Sequence, residues 1–320
     1  MFGSGIKNLS VSVDRLNEKN TFSSGDQVTG RISFEITKQT KITSITVALA
    51  GVAHVHWSTG GGGGRRRRTT RKHHSAKMEY FNYKGVILQE NGAVRGTTKL
   101  SPGTHVYPFT CQLPQGDFPS TFHGTSGRIL YTLKVDIYRP WHLSKNFETE
   151  LNFVHHINTN LPDLWAPLSG TNSMTLCCLC CASGPLTMTA TVEKKAFIPG
   201  ETVKINCNIS NGSFTTATPK ARLEQKQTFY TQRRERHIQA VKRFKSVSGE
   251  PVVAHTSVVQ TEIRLTLPSS AYLTISNCSI LEVEYKIEVS LSVRTFPDVT
   301  VLVPIILYDG SAHTNSLPLS

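Results

Sequence analysis

The sequence lacks a hydrophobic run long enough to cross a membrane as a helix. Its longest apolar stretch, 299–308, is about ten residues long and contains Pro304, whereas a membrane-spanning helix needs roughly twenty residues. The first residues also lack the basic start and apolar core of a secretory signal peptide. These absences predict a cytoplasmic protein.

Cysteine is scarce and odd in number, with seven residues in a chain of 320. An odd count leaves at least one thiol without a partner within the chain, and the first residues do not resemble an export signal. Both observations predict reduced thiols rather than a disulfide framework. They weigh against a secreted immunoglobulin-like recognition protein, which would need export and disulfides.

Recognisable catalytic motifs are also missing. The Gly60–Gly64 tract does not continue into the Gly-Lys-Ser/Thr ending of a phosphate-binding loop. Neither the Gly-x-Ser-x-Gly nor the His-Glu-x-x-His pattern occurs, and paired histidines such as His155 and His156 have no obvious catalytic companions. We therefore expect a protein that is not an enzyme and holds no cofactor or metal.

The net charge of +13 is concentrated in two stretches that together carry 12 of those charges. The first lies within 58–78 and includes Arg65, Arg66, Arg67, Arg68, Arg71 and Lys72. The second lies within 231–245 and includes Arg233, Arg234, Arg236, Lys242, Arg243 and Lys245. An electrostatic partner would therefore meet two basic patches on an otherwise nearly neutral surface.

The two patches favour different interpretations. The second predicts a cradle for acidic or phosphorylated cargo segments, because guanidinium groups bind phosphate with paired hydrogen bonds; the alternative is a charged hairpin surface. The first patch suits anionic phospholipid heads or acidic tails, and its alternatives are a solvated loop without a partner or a nuclear import signal. No aromatic residues interleave with it, so specific nucleic-acid binding is not expected.

Four cysteines cluster within five residues, at Cys177, Cys178, Cys180 and Cys181. A structural zinc site needs two separated ligand pairs, and no second Cys/His pair with suitable spacing exists here. Acylation of clustered thiols near a membrane is one interpretation. The other is that they are small apolar residues at the entry to a domain.

An internal duplication organises the chain. The sequence from Phe22 to Val28, FSSGDQV, returns 175 residues later from Phe197 to Val203 as FIPGETV. A second pair, in which Leu-Pro precedes an alternating Tyr-x-Leu/Ile-x-Val strand, is offset by 154 residues and includes Tyr131 and Tyr285. The difference between these offsets predicts a basic Gly/Arg insertion at about 58–78 in the first copy.

Short alternating runs separated by turn residues occur in both copies. They are 28–36, 42–50, 106–113, 129–137, 187–193, 203–209, 258–267 and 283–293. A two-residue period is typical of strands with one buried face, so the pattern predicts an all-β chain with two tandem immunoglobulin-like β-sandwich domains. We place them at 1–160 and 171–310, with a proline-rich linker at 161–170 and a short tail at 311–320.

Several motifs give this pattern a family. The segments FPSTFHGTSGRILY from Phe118, CCLCCASGP from Cys177, PKARLEQKQ from Pro219 and CSILEVEY from Cys278 resemble the signatures of arrestin domain-containing proteins, the α-arrestins. The resemblance covers essentially residues 6–308. It implies two arrestin-type sandwiches and a non-catalytic adaptor that binds the cytosolic tails of membrane proteins.

The resemblance also implies endocytosis, endosomal sorting or protein transport as the function, with a peripheral location at the plasma membrane and endosomes. Many family members recruit a NEDD4-type ubiquitin ligase through PPxY motifs. None of the 15 prolines here is followed by another proline, so that coupling has no PPxY motif to support it. The alternative function is a retromer-like coat subunit, which also uses paired arrestin-type sandwiches.

Overall fold

The structure is a computed structural model, and it describes residues 5–60, 71–89, 98–178, 181–294 and 296–311. The chain forms two compact units. The first is built from the segment that ends at His155, joined by Tyr230–Arg236 and Asn277–Ile280; the second comprises His156–Phe229, His237–Ser276 and the segment that begins at Leu281. Two short segments within the range expected for the second domain thus belong to the first unit.

The described residues of the first unit form ten strands. They are β1 Ile6–Val13, β2 Gln27–Ile36, β3 Thr40–Ile42, β4 Ser44–Thr59, β5 Lys72–Gln89, β6 Thr98–Leu100, β7 Gly103–Gln112, β8 Phe122–His123, β9 Gly127–Arg139 and β10 His142–Leu151. One sheet has the order β1-β2-β7 and the other β10-β9-β4-β5, with β8 paired to β9 and β3 paired to β6. Every pairing within these sheets is antiparallel.

In the second unit, the part of the chain that the structure describes forms one 3₁₀ turn, Pro162–Leu164, and ten strands. The strands are β11 Leu168–Cys178, β12 Cys181–Val192, β13 Ala196–Phe197, β14 Thr202–Asn211, β15 Ala217–Tyr230, β16 His237–Arg243, β17 Val247–Ser248, β18 Thr256–Thr266, β19 Leu281–Val293 and β20 Val299–Leu307. The sheets have the orders β11-β12-β14-β18 and β13-β20-β19-β15-β16, with β17 paired to β15. This confirms the prediction of an all-β chain with two tandem sandwiches.

Alternation fills the interior of each sandwich. On β9 the side chains at 129, 131, 133, 135 and 137 are all buried, and the corresponding side chains of β19, 154 residues later, are also buried. Each fully buried branched or aromatic side chain of this kind contributes about 1.5–3 kcal/mol. The two-residue pattern seen in the sequence is therefore the main source of each core.

The duplicated Gly-acid turn has the same hydrogen bonds in both copies. The backbone is left-handed at Gly25 (φ 81°) and at Gly200 (φ 93°), a conformation that glycine adopts without a Cβ clash. The acid that follows accepts a hydrogen bond from a backbone N–H three residues earlier: Asp26 from Ser23 at 2.7 Å and Glu201 from Ile198 at 2.9 Å. The turn is thus a repeated structural element.

The same turn closes each unit through its preceding phenylalanine. Phe22 forms a parallel bridge with Phe153, and Phe197 pairs in parallel with Leu307. Both phenylalanines are buried. Each sandwich therefore joins a residue near its beginning to a residue near its end.

The edges of two predicted segments differ from expectation. Ser58 and Thr59 belong to β4 and 72–78 belong to β5, and Thr59 pairs with Lys72, so both flanks of the predicted 58–78 insertion are strand. Leu168–Gly170, placed in the linker, begin β11. In both places the strands extend into segments that are rich in Gly, Ser or charged residues. These residue types are not typical of strands, so the sequence does not indicate that the strands continue there.

Candidate functional site

Three arginines of the second basic patch, Arg233, Arg234 and Arg236, lie in the turn that precedes β16, within the first unit. Thr231 and Arg236 are joined by two hydrogen bonds, in which Thr231 N donates to Arg236 O at 2.9 Å and Arg236 N donates to the side-chain Oγ1 of Thr231 at 3.2 Å. Arg234 has a left-handed backbone (φ 56°), and its guanidinium lies 3.9 Å from the centre of the Tyr230 ring. The side chains of Arg233 and Arg236 are exposed.

The remaining cations of the patch belong to β16 and the residues after it, in the second unit. Lys242 and Lys245 are exposed, and the Lys242 ammonium lies 4.7 Å from the centre of the Phe244 ring. Arg243 has a structural partner, because its Nε donates a 2.9 Å hydrogen bond to Glu224 Oε2. Among the described residues, Arg243 is the one of these three cations that forms an ion pair with a carboxylate.

Glu224 is the functional neighbour that the sequence did not reveal. Its side chain is only 4% exposed, and Lys286 Nζ contacts its other oxygen at 2.8 Å. Burial alone would raise the pKa of Glu224, but the hydrogen bonds and charges of Lys286 and Arg243 outweigh burial and hold the pKa below its ordinary value. Glu224 stands directly opposite Lys286 in the β15–β19 ladder, and this register is set by the sheet, so no local pattern in the sequence shows it.

β16 is an edge strand of the larger sheet in the second unit. None of its seven residues is buried, and it contains no acidic residue. Among the described strands only β15 borders it. Beyond His237, one side of its backbone is not paired with any other described strand, and its N–H and C=O groups can pair with an added peptide strand.

Comparison with known families identifies the chain. Residues 9–160 match the family model for "Arrestin (or S-antigen), N-terminal domain", and residues 182–310 match the corresponding C-terminal domain model. The chain belongs to the arrestin family. Its relatives place it among the α-arrestins, and arrestin-family proteins work as adaptors by binding rather than by catalysis.

Two relatives illustrate the extent of this similarity. Arrestin domain-containing protein 4 of Mus musculus is 26% identical over 302 residues, which cover 93% of this arrestin chain and 72% of the relative. Thioredoxin-interacting protein of Homo sapiens is 24% identical over 293 residues, which cover 89% of this chain and 71% of the relative. Both alignments extend across the two sandwich domains.

The first basic patch of this arrestin is only partly described. Arg65, Arg66, Arg67 and Arg68 lie outside the described residues. Arg71 is exposed, and Lys72 opens β5. Beside them the β4–β5 hairpin carries two aromatic contacts, His56 with His73 and Trp57 with His74, at ring-centre distances of 5.7 and 5.3 Å. Membrane contact by this patch stays a prediction.

The clustered cysteines lie at the β11–β12 hairpin. In the backbone ladder Cys177 faces Ala182 and Cys178 faces Cys181; Cys180 and the side chains of the other three lie outside the described part. Acylation therefore stays a prediction. Elsewhere, Cys111, Cys207 and Cys278 are free thiols, and burial raises the pKa of Cys207 to about 11, which makes it a poor nucleophile near neutral pH.

The described residues contain no cluster of three or more His, Cys, Asp or Glu side chains that could hold a metal ion. Among the same residues, no helix has the length and apolar character that a membrane span requires. The candidate site of the second unit is β16 with its edge, and the basic turn is a separate feature of the first unit.

Proposed function

We propose that this arrestin binds cytosolic segments of membrane cargo proteins and directs their endocytosis, endosomal sorting or transport. The cargo segment adds to the free edge of β16 as a further strand. Backbone pairing supplies affinity that depends little on cargo sequence, and nearby side chains supply selectivity. The exposed, acid-free edge of β16 is the observation that carries this proposal.

The charges near this edge favour acidic or phosphorylated cargo. Lys242 and Lys245 are exposed on and just beyond β16, while Arg233 and Arg236 are exposed in the turn that comes directly before it in the chain. Arginine is suited to phosphate because its planar guanidinium donates two parallel hydrogen bonds. Arg243 contributes less to cargo, since its Nε is engaged by Glu224.

Three further elements complete the proposal. Arg65–Arg68, Arg71 and Lys72 attach the protein to anionic membrane surfaces, each charge contributing on the order of 1 kcal/mol at low salt. Acylation at Cys177, Cys178, Cys180 and Cys181 strengthens this attachment. Coupling to a NEDD4-type ubiquitin ligase is part of the proposal, although the sequence given contains no PPxY motif. The protein then acts at the plasma membrane and endosomes.

A peptide pulldown tests the cargo site. Phosphorylated and unphosphorylated acidic tail peptides are immobilised, and the wild type is compared with an Arg233→Glu/Arg236→Glu variant. Arg234 is left unchanged because it stacks on Tyr230 and holds a left-handed backbone. We expect the variant to lose most binding to the phosphorylated peptide. The matched control is Arg31→Glu/Lys204→Glu, which reverses two exposed charges on other strands.

A second variant tests strand addition directly. Val241 lies in the middle of the edge strand and is 48% exposed, and Val241→Pro would remove a donor from β16. We expect weaker binding of every peptide, phosphorylated or not. Wild-type binding by both variants would overturn the site. Recovery of the protein only within a stoichiometric coat assembly would instead favour the retromer-like function.

A further inference from the structure

The β9–β10 hairpin of the first unit turns through Pro140 and Trp141. Trp141 has a left-handed backbone, with φ 59°. Proline followed by a residue with positive φ is the order of a type II turn, in which glycine or asparagine normally takes the second position. A bulky residue there strains the backbone. Glycine at position 141 would adopt this backbone conformation with less strain.

Trp141 gains no burial in return for that strain. Its side chain is fully exposed, and Leu143 two residues later is 91% exposed. Tryptophan normally contributes to stability by burying its large ring, and this one has no ring contact in the described residues. The tip of the hairpin thus presents an aromatic and an aliphatic side chain to the outside.

Basic residues, called the basic collar below, lie on the segments next to the tip. The collar consists of five residues on three segments that lie within 36–43, 98–103 and 137–146: Lys38, Lys41, Lys99, Arg139 and Lys145. These segments contain no Asp or Glu. They are joined by the β3–β6 pairing and by a 2.8 Å hydrogen bond from Thr43 N to Tyr138 O.

The collar is electrostatically unfavourable by itself. Lys41 stands directly opposite Lys99 in the β3–β6 ladder, and like charges in that position destabilise a sheet. No carboxylate of the described residues forms an ion pair with any of the five cations, and Arg139 Nε has no hydrogen-bond acceptor among them. The arrangement is therefore complementary to an external anion.

A pocket of about 370 Å³ opens at the base of the tip. Its walls combine cations with the turn itself, and they include Lys38, Lys41, Arg139, Pro140, Trp141 and His142. A phosphate-bearing headgroup can thus be held at the position where the indole begins. The lysine and arginine side chains in its walls can contact the phosphate of such a headgroup.

We propose that the Trp141 tip inserts into the interface of an anionic membrane, with the basic collar on the lipid headgroups. Tryptophan favours the headgroup level of a bilayer, where its ring is buried and its N–H stays hydrated. Lysine and arginine beside it add an attraction to anionic lipids that salt weakens. This deepens the peripheral membrane location in the proposed function and gives the first unit its own membrane anchor.

Vesicle sedimentation with Trp141→Gly is the decisive test. Glycine suits the left-handed turn, so the variant should melt at the same temperature as the wild type or higher. On phosphatidylcholine vesicles that contain phosphatidylserine, its partitioning should fall on the order of tenfold. Trp141→Phe should recover part of the binding. Unchanged vesicle binding by Trp141→Gly would overturn the proposal. That result would also be obtained if a different basic patch, rather than the Trp141 tip, bound the membrane.

Charge and fluorescence provide two independent measurements. Lys41→Glu should weaken vesicle binding about fivefold or more, whereas Lys204→Glu, an equal charge reversal on β14, should not. The emission difference between wild type and Trp141→Gly isolates Trp141 and should shift to shorter wavelength on anionic vesicles. Equal binding to pure phosphatidylcholine, or no such shift, would contradict insertion.

The cargo site and the membrane tip can be separated. In a pulldown without vesicles, Trp141→Gly should bind tail peptides like the wild type. If it does so and loses vesicle binding, the tip acts as proposed, whether or not the β16 experiment succeeds. If both cargo-site variants bind tail peptides like the wild type, the cargo site is wrong. The membrane tip is unaffected by that result as long as Trp141→Gly loses vesicle binding.

Discussion

Arg243 Nε lies 2.9 Å from Glu224 Oε2, and this contact ties the edge strand β16 to the neighbouring strand β15. Lys286 on β19 contacts the other carboxylate oxygen. The buried carboxylate therefore joins three adjacent strands on the outer face of the sheet. Its main role is to fix the strand that is proposed to receive cargo.

Glu224→Gln should destabilise the second unit by about 1–2 kcal/mol. The change leaves Lys286 and Arg243 without their anion, and the magnitude is modest because both cations also reach water. Thermal unfolding would show a melting temperature lower by a few degrees. Glu284→Gln is the control, since Glu284 is 56% exposed where it pairs with Lys226; a comparable loss there would contradict a special role for Glu224.

The same pair of proteins should show a pH-dependent difference. The folded-state pKa of Glu224 lies below its ordinary value of 4.5, so its contribution is fully present above that value and is lost as pH falls through the lower, folded pKa. The difference in unfolding free energy between wild type and Glu224→Gln should be constant near neutrality and shrink in acid. Denaturant titrations at several pH values would measure it; a difference that grows in acid has the wrong sign.

The two repeated tyrosines should lose different amounts of stability when their hydroxyls are removed. Tyr131 donates to Pro119 O at 2.7 Å and Tyr285 donates to Tyr272 O at 2.8 Å, and both side chains are buried. Tyr131→Phe should lose about 1–1.5 kcal/mol. Tyr285→Phe should lose more, because the Tyr285 hydroxyl also accepts a hydrogen bond from the buried Gln225 Nε2, which would be left without its acceptor. Thermal unfolding would measure both losses, with Tyr83→Phe, at an exposed position, as a neutral control; equal losses at Tyr131 and Tyr285 would contradict the role of Gln225.

Gly200→Ala tests the repeated turn. A Cβ at Gly200 would meet nothing nearer than 3.6 Å, so the cost is conformational and should be about 1 kcal/mol or more, since φ is 93°. Thermal melting of the variant would measure it. Gly85→Ala is a suitable comparison, because its backbone is not left-handed and space is available; an equal effect there would argue against conformational strain.

The sequence predicts the architecture well because alternation is a local signal. The buried positions of β9 and β19 and the Gly-acid turn at Gly25 and Gly200 are all visible as short patterns. The burial of Glu224 is not visible in this way, because it depends on partners 19 and 62 residues away. The turn at Trp141 is not visible in the sequence for a related reason. Such turns are recognised by a glycine at the position with positive φ, and here that position is a tryptophan.

The charge pattern of the sequence indicates where the basic residues cluster, but it does not indicate which of them form ion pairs within the protein. The basic residues within 231–245 lie at a turn and an edge strand, as a charged hairpin would. Arg243 differs from its neighbours only because Glu224 is within reach. Ion pairing between strands is a property of register, and register is set by the whole sheet rather than by the segment that carries the charge.

The parallel closure between Phe197 and Leu307 has a consequence for quality control. Loss of β20 would leave Phe197 and the neighbouring apolar strands open to solvent, and such surfaces attract chaperones and proteases. A chain shortened before residue 299 would thus be cleared rather than persist as a half-competent adaptor. Stable folding of the second sandwich therefore requires that β20 be present.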